Sequence, residues 1–241
     1  MLKLGNVKKG SIVVDMDDVL TYTTNLWFYC VMNNKNLLTK IKPEVIPLNY
    51  NYNDFFNYPL ISRPTYLFSD WLLKESLTEK EKQAAMQDIL KVYLNESDNF
   101  YKEVITTRLG EFIPTLFKYK HFNFDKVYVV TRTFDIYTDA KIKCIKRILG
   151  PIIENVEILF VDINEKKSDV IKDIENISII VDDELSNMYD YLDNSGDNIN
   201  DCIMLIPLYS YNSIFDPAYL EKATKRNIMV EYYKECLSLS R

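Results

Sequence analysis

Histidine is almost missing from this sequence. His121 is the only one in 241 residues, which excludes mechanisms that need two histidines. Five glycines and eight prolines leave little room for long flexible linkers. The four cysteines, Cys30, Cys144, Cys202 and Cys236, are scattered, and no CxxC spacing occurs, which argues against zinc. No apolar run is long enough to span a bilayer, so no membrane partner is expected. Positive charge is not in excess: 29 Lys and Arg face 35 Asp and Glu, for a formal net charge of -6. That balance gives no global footprint for a polyanion and argues against nucleic acid as a partner, although a local basic patch stays open. No secretory-signal pattern opens the sequence. The expectation is a cytoplasmic protein whose thiols are reduced.

What is present points to a packed core. Hydrophobic residues make up 47% of the chain, too many for disorder. The organising stretch is Ser11 to Thr21, SIVVDMDDVLT. Ile12-Val13-Val14 is short and β-branched and reads as a buried strand. Asp15, Asp17 and Asp18 follow at once. Carboxylates crowded at a strand end repel each other and need a cation or a function to hold them there. In open α/β sheets the carboxyl ends of strands are where ligands bind.

Thr21 to Met32 reads as a helix leaving that loop. Asn33 to Pro64 is rich in Asn, Tyr and Pro and reads as short helices and loops. Thr65 to Lys74, Thr78 to Leu94, Asn99 to Glu103 and Leu109 to Lys120 carry helical patterns. Thr78 and Glu81 form a capping box, and Ala85, Ile89, Val92 and Tyr93 a buried stripe. From Lys126 the pattern alternates. Strands are predicted at Lys126–Val130, Val156–Val161, Ile177–Val181 and Cys202–Ile206. Helices are predicted at Asp139–Leu149, Ser168–Ile174, Leu185–Leu192, and from Pro217 to the end. Such alternation implies an α/β fold with a parallel sheet and right-handed crossovers. The expected division is a core of 1–20 and 121–241, with a helical insertion over 21–120.

If the sheet is parallel, four polar spots share one edge: Asp15/Asp17, Thr131/Arg132, Lys166/Lys167 and Asp182/Asp183. Each supplies something phosphoryl transfer needs. Carboxylates bind Mg²⁺. A hydroxyl and a lysine hold the equatorial oxygens. One carboxylate can attack phosphorus, and another can protonate the leaving oxygen and then activate water.

In this order and spacing the chain resembles the haloacid dehalogenase superfamily of Mg²⁺-dependent phosphohydrolases. IVVDMDDVL is similar to its first motif, VYVVT to its second, Lys166 or Lys167 to its third, and IIVDD to its fourth. The resemblance implies a Rossmann-like three-layer core with a small helical cap inserted after the first strand. It implies Asp15 as nucleophile and metal ligand. Asp17 becomes the general acid/base, with its backbone carbonyl on the metal. Thr131 becomes the phosphate-binding hydroxyl. Lys167 is preferred for the third motif, because the SDVI that follows lets it open a helix with Val170 and Ile171 buried. Asp183 is preferred for the metal, with Asp182 supporting. DMDDVL also resembles the DMDGVL of 5'(3')-deoxyribonucleotidases, and Tyr211-Asn212 matches a late Tyr-Asn there. Asp18 stands where those enzymes have Gly. The implied substrate is a small phosphate monoester, a (deoxy)nucleoside monophosphate, dephosphorylated through an aspartyl phosphate with Mg²⁺ as cofactor. A polynucleotide end-phosphatase and a non-catalytic protein retaining the fold are the alternatives.

Each residue also has a plainer reading. Asp15 and Asp17 can be solvated turn residues, Lys166 and Lys167 a solvated charge pair, and Asp182 or Asp183 a helix cap. Arg132 reads as structural or as a phosphate contact. His121 reads as a surface or hinge residue. Arg63 and Arg108 are surface charges by default. Trp27, Phe28, Tyr50, Tyr52, Phe55, Phe56 and Tyr58 are core by default, with base stacking the alternative.

Overall fold

The structure is a computed structural model that describes residues 9–45, 72–95, 97–119, 122–162, 164–209 and 212–233. In chain order its principal elements are β1 (Ser11–Val14), α1 (Thr23–Met32), α2 (Lys35–Leu38), α3 (Glu79–Asn95), α4 (Ser97–Glu103) and α5 (Arg108–Lys118). Then follow β2 (Val127–Arg132), α6 (Thr138–Leu149), β3 (Val156–Val161), α7 (Lys167–Ile171) and β4 (Ile177–Val181). The last are α8 (Leu185–Asn194), β5 (Ile203–Pro207), α9 (Pro217–Lys225) and β6 (Met229–Tyr233). His121, Arg63, Tyr211 and the aromatic group from Tyr50 to Tyr58 lie outside the described residues, as does most of the helix expected over Thr65–Lys74.

The chain divides into two compact units. One comprises Met1–Thr21, Thr106–Leu208 and Asn212–Arg241; the other comprises Tyr22–Ile105 with Tyr209–Tyr211. The boundary after the insertion therefore falls at 105/106, where the sequence suggested 120/121. α5 belongs with the sheet. Its N-cap Thr107 is buried, accepts from the Gly110 amide at 2.8 Å and donates to the Val19 carbonyl.

The first unit is α/β. Its six strands are all parallel, in the order β3-β2-β1-β4-β5-β6, and helices flank the sheet in a Rossmann-like arrangement. β1 sits in the middle. The chain builds outward through β2 and β3, then returns to the other side of β1 for β4, β5 and β6. That reversal puts the topological switch point between β1 and β4, where open α/β sheets leave a crevice. Strand side chains alternate faces. Val13, Val130, Ile180, Met204 and Ile206 pack with Ile171, Met188, Tyr191, Leu192 and Ala223 of α7, α8 and α9 in one apolar cluster. Ile12, Val14, Val127, Val129, Ile179 and Val181 are equally buried and point to the opposite face.

The helices form for legible reasons. α6 buries Ala140, Cys144, Ile145 and Ile148, spaced for one helical face, and carries Lys146 and Arg147 in its last turn, where the dipole favours cations. α9 starts on an Asp216 cap with Pro217 at the first helical position.

β6 corrects the sequence reading of a helix running to the end. α9 stops at Lys225, and Asn227 takes a left-handed φ of 54°. The Arg226 guanidinium is bonded to Asn200, to the Leu192 carbonyl and to the Gly196 carbonyl. The chain then pairs with β5 from Met229↔Ile203 to Tyr233↔Pro207.

The second unit is described as helices with one isolated bridge, Ile41↔Leu73. Phe28, Val31, Leu37, Ile41, Leu72, Ala85 and Ile89 form its own apolar cluster. The Thr78–Glu81 capping box is present: the Glu81 carboxylate accepts from the Thr78 amide at 2.8 Å, and Thr78 Oγ1 accepts from the Glu81 amide. No helix among the described residues is long and apolar enough to cross a membrane.

Candidate functional site

The site lies in the first unit, at the carboxyl edge of the sheet beside the switch point. Val14 pairs with Val181, so Asp15 and Asp182 leave their strands at the same level. The Asp15 amide still reaches the Val181 carbonyl at 2.9 Å, which holds the two strand ends together. On the other side Val14 pairs with Val129, so Thr131 ends up one step above Asp15, still on β2.

Lys167 is the centre of charge. Its Nζ lies 2.9 Å from Asp15 Oδ1 and 2.9 Å from Asp182 Oδ2, and all three side chains are buried. Burial alone would lower its pKa, but Asp15 and Asp182 outweigh that and hold it above the usual lysine range. Of the two lysines the sequence left open, Lys167 is the one in the cluster. Lys166 is 63% exposed and pairs with Asp190 at 3.3 Å.

Asp15, Asp182 and Asp183 can each bring one carboxylate oxygen within 4.8 Å of the others. Lys167 pairs with two of them, Asp15 and Asp182. Burial pushes the Asp15 carboxyl up to about 7 even though Lys167 favours its charged form, and the charges of Asp182 and Asp17 add to the rise. A hard divalent cation fits this set, because it takes carboxylate oxygens and offsets their negative charge.

The two members of the acidic pair differ. Asp182 is saturated: its oxygens accept from Lys167, from the Glu184 amide at 3.0 Å, from Asn187 Nδ2 at 3.0 Å and from Tyr191 OH at 3.2 Å. Asp183 is fixed through its backbone, where its carbonyl accepts from Asn212 Nδ2 at 2.7 Å. The same amide group donates to the Pro207 carbonyl at 2.8 Å, tying the β4 end to the β5 end.

The Asp17 carboxylate is not in the cluster of three. It is 32% exposed and lies 2.5 Å from the Nζ of Lys141, a buried residue of α6 that the sequence reading missed. Lys141 also donates to Thr131 Oγ1 at 3.1 Å and to the Arg132 carbonyl at 2.7 Å. The signal was there to be read: a lysine on the apolar stripe of an amphipathic helix. Asn187 and Tyr191 were missed in the same way, as polar groups on the buried face of α8.

The Arg132 guanidinium is engaged beside the site. It donates to Asn187 Oδ1 at 3.2 Å, to Glu184 Oε2 at 3.4 Å and to the Glu165 carbonyl at 3.4 Å. That geometry matches its structural reading, a brace between the β2 end, the β3 loop and α8.

The loop after β1 wraps the Met16 carbonyl, which accepts from the amides of Leu20 at 2.8 Å and Thr21 at 3.1 Å. Closing that turn puts Asp18 at φ 57°, in the left-handed region. Glycine takes that conformation freely and Asp tolerates it better than most residues. Asp18 thus occupies a position whose backbone favours Gly.

Comparison with protein-family models and with curated proteins found no match.

Proposed function

We propose that this chain is a Mg²⁺-dependent phosphomonoesterase that works through an aspartyl phosphate and takes small phosphate esters, (deoxy)nucleoside monophosphates first among them. The observation that carries this reading is the convergence, at one edge of one sheet, of Asp15, Thr131 and Lys167 with the Asp182–Asp183 pair. Asp15 and Asp183, with Asp182 behind them, would hold the cation. Bound Mg²⁺ supplies neutralisation of phosphate charge and alignment of the ester.

The protein's own groups do the rest. An Asp15 oxygen forms a bond to phosphorus, and the bond from phosphorus to the ester oxygen breaks. Asp17 gives its proton to that oxygen, and the alcohol departs. Water then attacks the aspartyl phosphate, Asp17 takes a proton back, and phosphate leaves with Asp15 restored. Lys167 balances charge on the phosphoryl oxygens. Thr131 accepts from Lys141, so its own hydrogen is left to donate; its acceptor within the chain, the Arg132 carbonyl, is 3.4 Å away. Substrate selection is assigned to the inserted helical unit.

The test is hydrolysis of a nucleoside monophosphate panel with Mg²⁺ and with EDTA, alongside Asp15→Asn. Activity should need Mg²⁺ and fall on the order of 10⁴-fold or more in the variant, as for loss of a covalent nucleophile. Full activity in Asp15→Asn would remove Asp15 from that role.

A further inference from the structure

Among the described residues two lysines are buried, Lys141 and Lys167. The second belongs to the cluster of carboxylates. The first comes from a different element. It sits on the apolar stripe of α6, beside Ala140, Cys144 and Ile145. An ammonium in such a place is costly unless it is paired and hydrogen-bonded.

Lys141 has three N–H donors, and its acceptors include Asp17 Oδ2, Thr131 Oγ1 and the Arg132 carbonyl. They belong to two different strand ends. Asp17 lies in the loop after β1, while Thr131 and Arg132 close β2. One side chain from a helix therefore sets the separation between the group assigned to proton transfer and the hydroxyl assigned to the phosphoryl oxygens. The bond to Asp17 is charge-assisted and the shortest of the three, which suits a contact that fixes orientation. Four carboxylates are crowded into this edge. The Lys141 ammonium gives Asp17 a partner of opposite charge.

We propose that Lys141 is a positioning residue that fixes the Asp17 carboxylate for proton transfer at the ester oxygen, through its bond to Asp17 and its hold on Thr131 and Arg132. This rests on the phosphomonoesterase reading. Lys141 touches no substrate and exchanges no proton. The proton that Asp17 gives to the leaving oxygen comes back from water in the hydrolytic half.

The experiment compares two esters in Mg²⁺. Thymidine 5'-monophosphate has an alkoxide leaving group that needs a proton. 2,4-Dinitrophenyl phosphate has one that does not. In Lys141→Met, kcat/KM for the nucleotide should fall 10²–10³-fold, the range of general acid catalysis. For the dinitrophenyl ester it should fall less than about tenfold. KM should stay within about threefold for both, because orientation of a proton donor is a transition-state term. Asp17→Asn should give the same pattern, and adding Lys141→Met to it should cost less than about threefold more. If Lys141→Met does not fold, Lys141→Gln, which keeps a donor without the charge, is read in the same way. Equal losses on both esters, or losses that multiply in the double variant, would overturn the proposal and leave Lys141 a purely structural tie. A wild type that cleaves neither ester would instead overturn the phosphomonoesterase reading, and the role of Lys141 would fall with it.

Discussion

Asp15 is expected to give the fold a pH dependence. Its carboxyl is pushed up to about 7, chiefly by burial, whereas in an unfolded chain an aspartate releases its proton near pH 4. Between those values the folded, metal-free protein keeps a proton that the unfolded chain gives up. The stabilisation this brings is complete below about pH 4, falls as pH rises, and is gone above about pH 7. In EDTA, the urea midpoint is expected to decline between pH 5 and pH 7.5, and Asp15→Asn is expected to flatten the decline. The same slope in both proteins would locate the titration elsewhere. Mg²⁺ competes with that proton, so it should raise the midpoint most at the alkaline end. At this scale the sequence was informative where spacing carries the signal. Asp15, Thr131, Lys167 and Asp182 were legible because each ends a strand or opens the helix after one. Lys141 was not, because its partner Asp17 is 124 positions away and nothing local announces the contact.

At the scale of elements, α5 illustrates a contest between helix propensity and packing. Gly110 sits inside this helix, where alanine is favoured over glycine by about 1 kcal/mol. A Cβ at Gly110, however, would stand 2.5 Å from the Leu20 carbonyl oxygen and 2.8 Å from Thr106 Cγ2. The Leu20 carbonyl is held by the Thr107 amide at 3.0 Å and cannot swing aside alone. Overpacking of this kind costs about 1–3 kcal/mol. Gly110→Ala is therefore expected to lower stability despite its better propensity, as a drop in the urea midpoint at unchanged m-value. A rise would mean that α5 can shift outward freely. Strands carried by short apolar runs were legible in advance, namely β1 to β5. β6 was not, although β3, the other edge strand, was legible from its apolar run VEILFV. The MVEYY sequence of β6, half-buried or exposed along its length, lacks the continuous apolar signature. The α5 boundary was misplaced for a related reason. Periodicity marks a helix but does not say which core its apolar face joins.

At the scale of the whole molecule, each unit has an apolar cluster of its own among the described residues. The cluster built on the sheet draws on residues of the first unit alone, and the cluster around Phe28, Ile41 and Ile89 draws on the second alone. A domain with its own core can in principle fold by itself. The chain leaves the first unit at Thr21 and returns at Thr106, and those two residues are joined by an antiparallel bridge, placing their Cα atoms about 5 Å apart. A short Gly-Ser linker can span that gap. A variant in which such a linker replaces residues 22–105 is expected to keep the α/β circular dichroism signature and to unfold in one cooperative urea transition. The cluster of Asp15, Lys167, Asp182 and Asp183 is formed within the first unit, so Mg²⁺ should still raise the midpoint of the excised form. If the second unit selects the substrate, the same variant should hydrolyse 2,4-dinitrophenyl phosphate while losing preference among nucleotides. A non-cooperative transition, or a soluble variant whose midpoint ignores Mg²⁺, would mean that the sheet's edge is not organised by its own residues. The acidic site would then have to be redrawn with the insertion as part of its frame.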